Sequence, residues 1–218
     1  MWDRWEPSMT DEMRSFVAVT IDTAVKLLLA SWVKEARRAF PNYRFGAPEN
    51  LHVTLQFLGD VDRDREPALT AALCSAVEDV PAFRMSLGRA GSFPERGAPR
   101  ILHVVVDQGR EDLLRLADRV RAALSAEGFD PDKAFVPHIT LGRSRDRVAP
   151  GPGPGGRDIA AQWRDFFASF AASGGSGDRG SSVAWDVSRV LLMESILGPG
   201  GPTYTLRGIA PLRGRHRA

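Results

Sequence analysis

A four-residue pattern occurs twice in this chain, as His52-Val53-Thr54-Leu55 and as His138-Ile139-Thr140-Leu141, and it uses two of only four histidines. Within each copy polar and apolar residues alternate, which is the two-residue period of a β-strand, whose successive side chains point to opposite faces. His and Thr of each copy therefore share one face, and the aliphatic residues anchor the other. Any fold for this chain has to build the same local surface twice.

The flanking segments repeat as well. Arg14 to Thr20 has the β-branched and aromatic content of a strand, and Asp22 or Thr23 can cap a helix running to about Phe40, with Val25, Leu28, Leu29, Trp32, Val33 and Ala36 on one apolar face. Pro48 to Asn50 then turns the chain into the first motif strand, Leu51 to Leu58, which Gly59-Asp60 ends. In the second passage Ile101 to Val106 reads as a strand, Asp112 to Ala126 as a helix closed by Gly128, and Phe135 to Gly142 as the second motif strand. Pro67 to Val80 reads as a helix and Phe83 to Gly88 as a strand between the two passages. Two related lobes follow from this order, with the motif strands facing each other across a groove.

Outside these passages, Met1 to Glu12 reads as a loose extension, and residues 13–212 as one bilobal domain. Val148 to Ser182 contains Pro150-Gly151-Pro152-Gly153-Pro154-Gly155-Gly156 and a Gly/Ser-rich run from Gly174. It reads as a surface excursion carrying one helix, Ile159 to Ala171. Ala184 to Glu194 and Thr203 to Ile209 read as a closing hairpin, and 213–218 as a basic tail that includes His216.

Length and composition fit such a domain: 218 residues, 43% hydrophobic and 26% charged, suffice for a sizeable core. The net charge of +2 conceals 26 Arg against three Lys, and Arg is the better residue for bidentate recognition of phosphate. One cysteine, Cys74, excludes an internal disulfide, no Cys/His spacing suits zinc, and no apolar run is long enough for a leader or a membrane span. A reducing, cytoplasmic setting is expected, with no membrane partner, no metal and no cofactor.

Two imidazoles and two hydroxyls around one substrate atom suit in-line hydrolysis of a phosphodiester. With pKa values near 6.5, one His can be neutral and accept a proton while the other is charged and donates one, and the Thr hydroxyls hold the non-bridging oxygens. Which His does which is left open by the residues themselves.

These residues, with Arg14-Ser15-Phe16-Val17-Ala18-Val19, Pro48-Glu49-Asn50-Leu51, Phe57-Leu58-Gly59, Pro137, Leu141-Gly142-Arg143, Glu194-Ser195 and Leu197-Gly198-Pro199-Gly200-Gly201, resemble the bacterial RNA 2',3'-cyclic phosphodiesterases, the 2'-5' RNA ligase family of two-histidine phosphoesterases. The resemblance implies an α+β fold, bilobal, with two antiparallel β-sheets in pseudo-two-fold related lobes around a central groove and helices outside. It implies a monomer acting on RNA ends or nucleotides with a 2',3'-cyclic phosphate and yielding a 2'-phosphate. By the same carry-over His52 is the proton donor to the leaving ribose oxygen, His138 the acceptor that activates water, and Thr54 and Thr140 the phosphate ligands. Phe57, Arg143 and Arg44 are the family's candidates for substrate binding.

Strand parity competes with two of these. Phe57 and Arg143 each lie five residues after their histidine and so point away from it unless the strand bulges or ends. The chain also departs from the family at Gln56, where a Lys or Arg is common, and at His103, where an aromatic is typical; Gln56 would weaken the groove's positive field. Rival readings are a non-catalytic RNA or nucleotide phosphate-binding module and reversible 2'-5' ligation as a side activity. An ATP-dependent ligase would need a phosphate-cradling loop or a nucleotidyl-accepting lysine motif, and none of Lys26, Lys34 and Lys133 sits in one.

Overall fold

The computed structural model describes residues 11–95, 98–131, 133–145, 158–173, 183–199 and 201–214. The Gly/Pro-rich segments around 150 and 178, the first ten residues and His216 lie outside them.

The chain begins with strand β1 (Glu12–Thr20) and helix α1 (Thr23–Ala39). Asp22 caps the helix, its Oδ1 accepting the Ala24 N–H at 2.7 Å, and Val25, Leu29, Trp32, Val33 and Ala36 fill its buried stripe. Burying each of the Val and Leu side chains among them contributes about 1.5–3 kcal/mol. Strand β2 (Tyr43–Phe45) and a short 3₁₀ turn over Pro48–Asn50 lead into β3 (His52–Asp62), the first motif strand. Helix α2 (Glu66–Val77), strands β4 (Phe83–Phe93) and β5 (Ile101–Val106) and helix α3 (Arg110–Ala126) follow, then β6 (His138–Ser144), the second motif strand. Helix α4 (Ile159–Ser173) and strands β7 (Ala184–Val187), β8 (Arg189–Gly198) and β9 (Gly201–Pro211) close the fold.

Two antiparallel sheets result, one in the order β3-β1-β8-β9 and the other β2-β6-β5-β4-β7. Each contains a motif strand paired with the strand that opens its passage, β3 with β1 and β6 with β5. The two motif strands touch across the sheets. The helices exchange partners: α1 leaves the first sheet and packs near β2 and α4 of the second lobe, whereas α3 leaves the second sheet and packs on α2 and β3 of the first. One continuous hydrophobic cluster spans both lobes as a consequence.

Two expectations are corrected. Ala184 to Glu194 is not one strand. The consecutive exposed residues Ser188 and Arg189 break its alternation, and there the chain passes from β4 in the second sheet to β1 in the first. The helix expected in a surface excursion is part of the core, because Trp163 is only 1% exposed. Its ring meets Phe40 edge-on at 5.6 Å, its Nε1–H donates to the His103 carbonyl, and Phe167 packs edge-on against Trp32 at 4.8 Å.

Candidate active site

His52, Thr54, Phe57, His138, Thr140, Arg143 and Arg44 all line one cleft of about 720 Å³ between the sheets. Val53, Leu55, Ile139 and Leu141 lie behind them, almost fully buried, so the alternation read in the two patterns is realised twice.

The parity objection to Phe57 and Arg143 is removed by a device that occurs in both strands. Along β3, Gln56 pairs with Val17 and Thr54 with Ala18, which leaves Leu55 as an extra residue; along β6, Gly142 pairs with Leu102 and Thr140 with His103, which leaves Leu141 extra. A bulge of one residue reverses the facing of everything after it. The fifth residue thus returns to the face of the His, and the burial patterns of 52–57 and 138–143 are identical. Phe57 is 61% exposed at the cleft rim. The same bulge turns Gln56 inward, 4% exposed, with its Nε2 donating to the Phe129 carbonyl at 2.6 Å, so its lack of charge does not bear on the groove as the sequence reading expected. Gly142 occupies the matching place in the other strand, where the Phe45 ring leaves no space for a Cβ.

Both imidazoles are oriented in the same way. His52 Nδ1 lies 2.6 Å from the Asn50 carbonyl and His138 Nδ1 2.7 Å from the Val136 carbonyl, each oxygen belonging to the residue two positions before its His. A carbonyl only accepts, so Nδ1 carries the hydrogen in both rings, and in the neutral state Nε2 keeps its lone pair. Thr54 Oγ1 lies 2.9 Å from Nε2 of His52 and donates to it; no corresponding bond joins Thr140 to His138.

The surroundings push both rings toward neutrality. Burial lowers the His52 pKa to about 4, and the positive charges of Lys26 and Arg143 and the neighbouring His138 add to that effect. His138 is lowered by burial and then by Arg143. The expectation of two groups near 6.5 is therefore not met, because burial and the nearby positive charges favour the neutral form of both rings.

Several side chains around the two imidazoles had been given no role from the sequence. Phe16 stacks under His52 at 4.8 Å and Tyr204 meets it edge-on at 5.3 Å. The Asn50 amide donates to the Pro202 carbonyl at 2.7 Å, tying the first motif to the β8–β9 turn. Phe93 meets His138 edge-on at 5.0 Å and stacks on His103 at 4.2 Å. His103 is 3% exposed and is absent from the cleft lining; Gly91 leaves room for its ring, which supports His138 from behind at 5.1 Å. No local pattern marks Phe16, Tyr204 or Phe93, because each is brought in by strand pairing over long sequence separation.

Among the described residues no three His, Cys, Asp or Glu side chains converge as a metal site, and no helix is long and apolar enough to cross a membrane.

A family model described as the 2'-5' RNA ligase superfamily matches residues 26–194. A protein of Archaeoglobus fulgidus named RNA 2',3'-cyclic phosphodiesterase is 33% identical over 192 residues, which are 88% of this chain and 96% of the relative. A protein of the same name from Thermus thermophilus is 31% identical over 213 residues, 94% of this chain and 92% of its own. Among solved structures, the protein TT0787 of Thermus thermophilus superposes with a TM-score of 0.70 at 28% identity, covering 94% of this chain and 100% of that one. Escherichia coli LigT, solved in complex with 3'-AMP, shares the fold with a TM-score of 0.66 at 23% identity, covering 92% and 98%.

Proposed function

The chain belongs to the 2'-5' RNA ligase superfamily, and we propose that it is an RNA 2',3'-cyclic phosphodiesterase, opening the cyclic phosphate at RNA ends or on nucleotides to a 2'-phosphomonoester without a metal. The observation that carries this reading is the pair of imidazoles with matching orientation, each with a Thr hydroxyl beside it, in one cleft.

The substrate brings negative charge to two rings whose surroundings disfavour protonation. A phosphodiester anion seated between the rings favours protonation of one of them, so a proton is taken up on binding and the pair becomes one acid and one base. His138, neutral, removes a proton from water as the water oxygen bonds to phosphorus. The bond from phosphorus to the ribose 3' oxygen breaks, and His52, protonated, delivers its proton to that oxygen. The 2' ester remains. Thr54, Thr140 and the Arg143 guanidinium hold the charge that builds on the non-bridging oxygens. The order of the two histidine roles follows the family resemblance. Both half-sites belong to one chain, which supports a monomer as the working unit, with residues 13–212 as that unit; the single cysteine supports a cytoplasmic setting.

The test uses purified protein, 2',3'-cyclic nucleotides and a cyclic-phosphate RNA, with and without EDTA. Hydrolysis to the 2'-phosphate that EDTA leaves unchanged is expected; loss of activity in EDTA overturns the metal-free mechanism, and binding without turnover overturns the enzyme reading. A cyclic substrate with sulfur in place of the 3' oxygen separates the roles, because a thiolate leaves without a proton. His52→Ala should be rescued on it and His138→Ala should not; the opposite pattern exchanges the roles.

A further inference from the structure

Beside the catalytic cleft lies a second cavity of about 350 Å³, lined by Phe93, Pro94, Arg100, Ile101, Arg143 and Ser144. The two are joined at Arg143, which lines both. Phe93 forms the other link, its ring touching His138 on one side and the cavity on the other.

The strand register places the charges here. Arg143 on β6 pairs with Arg44 on β2, and on its other side with Ile101 on β5, the neighbour of Arg100. Like charges directly opposite each other on adjacent strands are destabilising. Some arginines of the fold have carboxylate partners, as where Arg63 and Arg207 share Glu194 and Arg119 holds Asp79. Among the described residues, Arg44, Arg100 and Arg143 have none. The backbone beneath Arg100 is fixed, its N–H donating to the Phe93 carbonyl at 2.7 Å and its carbonyl accepting from Ser144 N–H at 2.8 Å. Three guanidinium groups without a carboxylate partner, on neighbouring strands at the mouth of a phosphate site, have the character of a backbone track.

We propose that this second cavity seats the phosphodiester immediately upstream of the cyclic end, so that Arg100 makes the preferred substrate an RNA oligonucleotide rather than a mononucleotide. The proposal rests on the cyclic phosphodiesterase reading. The terminal nucleotide occupies the main cleft with its cyclic phosphate between the histidines, and the chain leaves past Arg143, with the next phosphate held against Arg100. A mononucleotide fills only the first of these places and forgoes a charge-assisted contact.

The test compares a dinucleotide ending in a 2',3'-cyclic phosphate with the corresponding mononucleotide, in kcat/KM for hydrolysis and in affinity for the 2'-phosphate products. Wild type should favour the dinucleotide by about tenfold or more, the scale of one charge-assisted hydrogen bond. Arg100→Ala and Arg100→Gln should abolish that preference, flatten the salt dependence of dinucleotide binding by about 0.7 in log–log slope, the amount for one phosphate, and leave mononucleotide turnover unchanged. Equal treatment of the two substrates by wild type, or a preference that survives both variants, overturns the proposal. The affinity arm needs no turnover, so failure of the activity reading is distinguishable from failure of the subsite.

Discussion

The two halves of the site share a backbone and differ in almost everything around it. Each has a His held through Nδ1 by the carbonyl two residues earlier, a Thr on the same face, an extra Leu that bulges the strand, and a fifth residue returned to the groove. In the first half the ring stacks on Phe16, meets Tyr204 and accepts from Thr54, and the fifth residue is Phe57. In the second the ring lies against Phe93 and His103, Thr140 makes no bond to it, and the fifth residue is Arg143. The shared backbone sets the geometry of proton transfer, and the unshared side chains set what else each half does: one offers an aromatic surface and the other a cation.

The largest effects test the shared part. His52→Ala and His138→Ala should each reduce kcat by about 10²–10⁴-fold on the cyclic substrate, the range for one general acid or base. The double variant should be little worse than either single one, because both rings serve one transition state. Additive losses in kcat would break the pairing. Thr54→Val and Thr140→Val come next, each costing up to about 10²-fold in kcat if its hydroxyl steadies the developing charge. A loss confined to KM would reassign the hydroxyls to ground-state binding.

Period and parity made the strands and the α1 stripe legible from sequence, since Val25, Leu29, Trp32, Val33 and Ala36 mark their face by spacing alone. They also placed His52, Thr54, His138 and Thr140 on matching faces. The same rule misplaced Phe57 and Arg143, because a bulge exists only relative to a partner strand, and the one extra residue in β3 or β6 shows only when it is counted against β1 or β5. It also hid Gln56, whose inward turn follows from that bulge. Helix α4 was misread for a different reason: the Gly- and Pro-rich segments around it suggest surface, while Trp163 finds its cover among Phe40 and Phe45, more than a hundred residues away. Depressed imidazole pKa values depend on burial and on Lys26 and Arg143, which no strand pattern can show.

A smaller effect tests the unshared fifth position. Phe57→Ala removes an exposed ring at the cleft rim and should raise KM for nucleotides about tenfold, as expected from stacking worth about 1–3 kcal/mol per base, while kcat changes little. The effect should be absent for small cyclic phosphodiesters without a base. If KM rises equally for both, the ring shapes the cleft and does not stack.

The smallest effect is in pH dependence, and it separates the halves most finely. The kcat/KM profile reports the free enzyme, where the productive form carries one proton on the histidine pair. Both rings are held below their ordinary value, so that form is already lost as pH rises toward 6.5 and the bell should peak on the acid side of it. Arg143 lowers both rings, whereas Lys26 acts on His52. Removing a positive charge raises a neighbouring imidazole's pKa, so Arg143→Gln should move both limbs of the bell toward higher pH, and Lys26→Gln should move chiefly the limb that reports His52. The measurement is kcat/KM from pH 4 to 9 for the three proteins, each normalised to its own maximum. A maximum above pH 7.5 in wild type, or limbs that Arg143→Gln leaves in place, would show that the two rings do not feel the groove's charges as their positions require.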